Sequence, residues 1–443
     1  MAEAQGSEHA TIHGGRFDVS RRRPLTSAAI AAFTALALLV PCAAGTAAVP
    51  APPALLSQIS GTRAYRHVLA LSRTIGPHEA GTPQDRTSGE YIADQLTHDG
   101  YPVEWQSFTF PFFAVHEVSL TVPSSPVLAV RPRVMEYSAS TPRGGLAARL
   151  AEAGLGRPED LSKANVSGKI ALIERGGLTF RQKAENAAAA GAVAAIVYNQ
   201  QPSAFAGTLG QAVRIPVVGL SGDDGQKLLA LVRAGAVTVR LNVQATNEER
   251  MTWNIIATKT GTQDPHRILI VGAHRDTVGD APGANDNTSG VAVALEIAEV
   301  LKDVPLGMTV RFVFFGGEEE GLFGSAYYVE HPGPDPIAGM INLDMEGVGP
   351  RLVLAAYRSS DVLVLRTKRL ADGLGIKVQV NREGASDHVN FEKIGVPVVL
   401  LFRPDDPYYD TPRDTVDRVD PALLEVSGRL ALATILDVAG PRH

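Results

Sequence analysis

The chain has 443 residues, 45% of them hydrophobic and 20% charged, which fits a folded protein of two or three domains and excludes a disordered or collagen-like chain. Its 41 Lys and Arg against 47 Asp and Glu leave a net charge of −6, so nucleic acid is not an expected partner. A single cysteine, Cys42, excludes a disulfide scaffold, an iron–sulfur cluster and a cysteine-ligated structural zinc.

Residues 1–48 read as a signal peptide. Arg21, Arg22 and Arg23 precede an apolar run from Ser27 to Val40, and the small-residue stretch AAGTAA follows; this is the order of a secretory signal. The apolar run is shorter than the roughly 20 residues of a membrane span, so no span is expected. SRRRPL resembles a twin-arginine signal, with Pro24 where an aromatic residue is usual; a general secretory signal is the alternative. Cys42 stands where a lipoprotein cysteine would, but Pro41 is a poor neighbour for a lipid anchor. Cleavage after Ala48 is the simpler expectation, and it leaves an exported protein with no cysteine.

Pro50, Pro52 and Pro53 make a short extended linker. Helical periodicity covers Leu55 to Ser72 and Gln84 to His98, with the turn-rich IGPHEAGTP between them and Gly100 as a stop. Val103 to Phe113 is aromatic and β-prone. The texture then changes: residues 115–245 are rich in Val, Ala and Gly. Within them we expect a strand at Ile170–Glu174, a helix at Phe180–Ala190 and a strand at Ala192–Tyr198. No plausible catalytic cluster lies there. From Trp253 onward strands are expected at Ile268–Ala273, Val310–Phe315, Met340–Leu343 and Val398–Phe402, with a helix from about Ser289 to Lys302. This alternation predicts an α/β fold, a sheet covered by helices on both faces.

The chemistry sits where those strands end. His274 and Asp276 follow ILIVGA; Glu318, Glu319 and Glu320 follow VRFVFF across two glycines; Asp344 follows MINL. Asp410 follows VVLLF after a short loop, and Asp286 lies in GANDNTSG just before a helix. In open α/β sheets, ligands bind outside the carboxyl ends of the strands, so these distant residues should converge on one crevice. His, Asp and Glu suit zinc and similar divalent ions. One carboxylate between two metals, further ligands on each and a spare Glu as base describe a two-metal hydrolase.

Each piece alone has a plainer reading. HxD is usually structural, a Glu run is usually an exposed helix start, and GANDNTSG reads as a turn with Thr288 or Ser289 as helix cap. Their order, each at a strand end, is what argues for a site. Rival signatures are missing: HEVSL at His116 lacks the second histidine of HExxH, and GLSGD at Gly219 is not a nucleophile elbow.

VGAHRDTV, GANDNTSGVAVALEIA, FFGGEEEGLFGSAYYV, INLDMEG, GASDHVNFEKIGVPVV and YYDTPRDTVDRVD together resemble the co-catalytic zinc exopeptidases. That group includes aminopeptidase Y, secreted bacterial leucyl aminopeptidases and glutamate carboxypeptidase. Residues 115–245 resemble the protease-associated (PA) domain. The resemblance implies a mixed, mostly parallel sheet between helices, split over residues 55–114 and 246–443, with an inserted β-rich PA domain at 115–245.

It also implies roles. His274 and Asp344 would hold one metal, Asp286 would bridge, and Glu319 would hold the second. Glu318 would be the general base, Asp276 would orient the His274 imidazole, and Tyr409 would hydrogen-bond the oxyanion. Asp387 and His388 match a motif near the substrate and are not assigned as ligands. The bond between Asp286 and Asn287 would be cis. The family usually has histidine after the tyrosine; here Asp410 takes that ligand position. Two divalent ions are expected, zinc first, with manganese or cobalt suited to the second position.

The activity implied is removal of terminal residues from peptides, most simply as an aminopeptidase. A carboxypeptidase would need a cationic clamp, for which Arg382, Arg403 and Arg413 are candidates. Glutaminyl cyclases share the architecture but keep one metal and usually lack a PA domain. A binding ectodomain that has lost catalysis is the non-enzyme alternative.

Overall fold

The computed structural model describes residues 53–123, 128–357 and 362–442. The signal peptide expected at residues 1–48, with Cys42, lies outside them.

The chain opens with helices α1 (Pro53–Leu56), α2 (Gly61–Val68) and α3 (Pro83–His98). The continuous helix expected from Leu55 to Ser72 is interrupted. Ser60 caps α2 through its side chain, and residues Leu69–Ile75 widen into a π-helical turn ending at Gly76. Thr82 caps α3, with Pro83 at its first position, where a missing N–H costs nothing.

Strand β1 (Val103–Thr121) pairs antiparallel with β7 (Thr238–Lys259) along nearly its whole length. Phe108, Phe110 and Phe112 alternate inward along β1 and are buried against Ala80, as a two-residue period requires. This ribbon continues through both expected insert boundaries, at 115 and 245, with a register shift between Val115 and Glu117.

Between the two strands lie β2 (Arg133–Val134), β3 (Leu146–Glu152), α4 (Pro158–Ala164), β4 (Ile170–Glu174), α5 (Phe180–Ala189), β5 (Ala194–Tyr198), β6 (Val217–Leu220) and α6 (Gly222–Ala234). Strands β3 to β6 are parallel. Ile170 and Leu172 enter one apolar cluster while Ala171 and Ile173 enter another, so β4 is buried on both faces and carries an unbroken apolar run.

After β7 come β8 (Asp264–His274), α7 (Thr288–Leu301), β9 (Met308–Phe315), α8 (Phe323–Glu330), β10 (Ile337–Asp344), β11 (Leu352–Ala355), α9 (Val362–Leu374), β12 (Val378–Asn381), α10 (His388–Lys393), β13 (Val398–Phe402) and α11 (Pro421–Ala439). The strand order is β12-β11-β13-β10-β8-β9-β7, continued by β3-β4-β5-β6-β2. The pairs β8/β9, β8/β10 and β10/β13 are parallel, so their carboxyl ends share one edge. That edge carries the motif residues.

Helix α7 is buried at every position except Glu299 and packs on β8 and β10. Its buried Glu296 pairs with Arg63 of α2 at 2.5 Å. The cap is Asn287, whose side chain accepts from the Gly290 N–H at 2.9 Å, rather than Thr288 or Ser289. The Asp286–Asn287 peptide is cis.

Candidate active site

His274 is the last residue of β8 and is 1% exposed. Its Nδ1 lies 3.2 Å from the backbone carbonyl of Asp276. A carbonyl only accepts, so Nδ1 carries a proton, and Nε2 is the nitrogen left to face the carboxylates or hold a metal. Nε2 faces Oδ1 of Asp286 at 3.1 Å and Oδ1 of Asp344 at 3.5 Å.

Among the described residues, three groups of side chains bring one donor atom each within 4.8 Å of one another: His274, Asp286 and Asp344; Asp286, Glu319 and Asp410; His274, Glu318 and Glu319. Asp286 belongs to two of these groups, His274 to two and Glu319 to two. Tyr409 is 41% exposed. Burial first, then the charges of Asp410, Asp286 and Glu319, raise its hydroxyl pKa, so it stands beside the carboxylates at the crevice rim. Asp387 and His388 are buried at the start of α10, and His388 belongs to none of the three groups.

Asp276 holds the imidazole, as expected of an orienting neighbour, but through its backbone carbonyl. Its carboxylate is 3.9 Å from Nδ1, farther than its carbonyl. The two carboxylate oxygens instead accept from the backbone N–H groups of Glu318 and Glu319, each at 3.2 Å. So the segment after β8 fixes the imidazole through its backbone and the loop after β9 through its side chain.

Asp414 was not legible as a site residue. It is fully buried and accepts from the backbone N–H of Asn285 at 2.9 and 3.1 Å and of Asp286 at 2.9 Å. The Asn287 side chain donates to the Leu343 carbonyl at 2.9 Å and accepts from the Met345 N–H at 3.2 Å. These bonds hold the Asp286 loop against the end of β10, which delivers Asp344. The only sequence signal was a second aspartate in YYDTPRDT, four residues after Asp410.

The electrostatics are those of a site lacking positive charge. Burial, with help from neighbouring carboxylates, pushes Asp286 up to about 7 and Glu318 and Glu319 well above the usual carboxylate range. Burial works against a charged His274, yet Glu318, Asp344 and Asp286 raise its pKa well above the usual value. One imidazole cannot neutralise this set. Buried oxygens Oε1 of Glu319 and Oδ1 of Asp344 have no hydrogen-bond partner, and buried polar atoms are rarely left so. The donor set and these orphaned oxygens fit divalent cations.

Two of the three candidate clamp arginines are engaged with other groups. Arg403 is 2% exposed and donates to the carbonyls of Glu346 and Gly349 at 3.1 and 3.2 Å. Arg413 lies over the Tyr408 ring at 3.8 Å.

Residues 254–435 match Peptidase family M28, and residues 136–228 match the PA domain. Aminopeptidase YwaD of Bacillus subtilis (strain 168) is 34% identical over 439 residues, covering 94% of this chain and 94% of that one. Among solved structures, the aminopeptidase from Aneurinibacillus sp. strain AM-1 aligns at 32% identity with a TM-score of 0.74, over 88% of this chain and 96% of that one. BSAP, a zinc aminopeptidase from Bacillus subtilis, aligns at 33% identity with a TM-score of 0.66, over 87% and 97%.

Proposed function

Since the chain belongs to peptidase family M28 and is a metallo-exopeptidase, we propose that it cleaves single residues from the free amino end of peptides. The observation that carries this reading is the joining of the metal-suited groups through shared Asp286 at the carboxyl ends of β8 and β10. The similarity to aminopeptidases and the carboxylate-rich crevice support the amino end over the carboxyl end.

When bound, two divalent ions, with zinc the expected species, would supply Lewis-acid polarisation of the peptide carbonyl and ease deprotonation of water. In this reading His274 and Asp344 would hold one ion, Glu319 and Asp410 would hold the other, and Asp286 would contribute to both. Glu318 takes the proton from the attacking water and returns it to the departing amine. Tyr409 at the rim donates its hydroxyl to the developing oxyanion. Asp276 holds the Glu318–Glu319 backbone so that base and ligand keep their separation.

Among the described residues no helix is long and apolar enough to cross a membrane. The basic, apolar and small-residue order of residues 21–48 supports export, with the PA insert at 115–245 travelling as part of the same enzyme.

The test uses purified chain and paired peptides with free and acetylated amino termini, with and without chelator. Release of the first residue from free-amino peptides alone, abolished by chelator and restored by zinc, is the expected result. Equal cleavage of acetylated peptides would overturn the aminopeptidase reading.

A further inference from the structure

We propose that the two metal positions of this chain are chemically unequal: the Asp286–Glu319–Asp410 position takes a harder, exchangeable divalent ion of the manganese type, while the His274 position keeps zinc. The inference rests on the metallo-exopeptidase reading above and assigns a metal class to each half of its site.

The asymmetry is in the donors. The group containing Asp344 includes the imidazole of His274, whereas the group containing Asp410 consists of three carboxylates. His274 shares no group with Asp410. The imidazole is not free to swing across. Its Nδ1–H is donated to the Asp276 carbonyl at 3.2 Å, which aims Nε2 at Asp286 and Asp344. His388, the nearest rival by sequence motif, is 1% exposed and lies in no group. So although His274 also shares a group with Glu319, among the described residues the group that contains Asp410 offers oxygen alone.

Oxygen-only sites favour hard ions such as manganese and magnesium. Imidazole widens the advantage of zinc over manganese, and its absence narrows that advantage. Three carboxylates carry a formal charge of −3 against one dication. Part of that charge is shared through Asp286 with the other ion, so attraction holds an ion there without selecting zinc. Oε1 of Glu319 is buried with no hydrogen-bond partner, which gives this position an acceptor that a cation would satisfy.

The backbone permits a direct test. Asp410 has φ of 58°, in the left-handed region where Asn, Asp and His are the commonest non-glycine residues. Asp410→His therefore adds an imidazole to the second position without a new backbone demand.

Purified chain is loaded with zinc and dialysed against a roughly 100-fold excess of Mn²⁺ over free Zn²⁺, and both metals are counted by elemental mass spectrometry. The expected result is one zinc and one manganese per chain. Asp410→His should keep two zinc ions under the same conditions, its preference for zinc at that position higher by roughly tenfold or more. Asp410→Ala should keep one zinc and hold no second ion. Two zinc ions retained by the unaltered chain, or both exchanged alike, would overturn the inference while leaving the enzyme reading intact. A chain that binds no zinc at all would overturn both.

Discussion

Arg275 and Asp85 form an ion pair at 2.6 Å with both side chains 0% exposed. Asp85 lies on α3, 190 residues away, and Arg275 sits between His274 and Asp276. The guanidinium also donates to the Asp85 carbonyl at 2.6 Å, Ser88 Oγ at 3.0 Å, Thr252 Oγ1 at 3.1 Å and the Trp253 carbonyl at 2.9 Å. Alternation along the chain sends His274 into the crevice and Arg275 to the opposite side. The N-terminal helix therefore braces the strand end that presents the only imidazole of the metal-suited groups.

Removing one partner of this pair should be costly, because the other charge stays buried. We expect Asp85→Asn to lose about 3–5 kcal/mol in urea denaturation, and Asp85→Leu with Arg275→Met to lose much less. Equal losses for the single and double variants would show that the ion pair itself is not what matters there.

Glu318→Gln keeps shape and removes the proton acceptor. Turnover should fall by roughly 10²–10⁴-fold with metal content unchanged. Glu319→Gln should lower metal content. The reverse pattern, metal lost in the first variant and kept in the second, would exchange the two assignments.

Asp414→Asn weakens the bonds that hold the Asn285 and Asp286 backbone. Its carboxylate accepts from both amides, and an amide group in its place offers one acceptor atom instead of two. Metal affinity should drop by roughly 10–100-fold, as when a ligand's support is removed. Titration of the metal-free variant by calorimetry measures it, and unchanged affinity would remove Asp414 from the site's support.

His78 gives a pH dependence. It is 1% exposed, its Nδ1–H donates to the Gly76 carbonyl at 2.6 Å and its backbone N–H donates to Thr277 Oγ1 at 3.0 Å. Burial lowers its pKa from the ordinary 6.5 to about 4. Between those values the unfolded chain binds a proton that the folded chain refuses. Its contribution is therefore flat above 6.5, and stability falls as the pH drops toward 4, by up to about 2–3 kcal/mol. His78→Asn can still donate to Gly76 but cannot take up the proton. Its stability should fall less steeply across that window; an identical slope would show that His78 does not titrate there.

The sequence by itself determined the strands and the residues at their ends. Ile268–Ala273, Val310–Phe315, Met340–Leu343 and Val398–Phe402 were legible because a strand buried on both faces must be an unbroken apolar run, and all four lie within β8, β9, β10 and β13. The convergence of His274, Asp286, Glu319, Asp344 and Asp410 followed from parallel strands sharing one carboxyl edge. Tertiary structure alone decided what holds them. The Asn285–Asp414 bond spans 129 residues and the Arg275–Asp85 bond 190. Periodicity operates over a few residues and carries no information on which distant polar groups meet once the core has closed. Asp276 shows the same limit: its place beside His274 was readable, but whether its carbonyl or its carboxylate faces the imidazole depends on where the loop after β9 puts two backbone N–H groups.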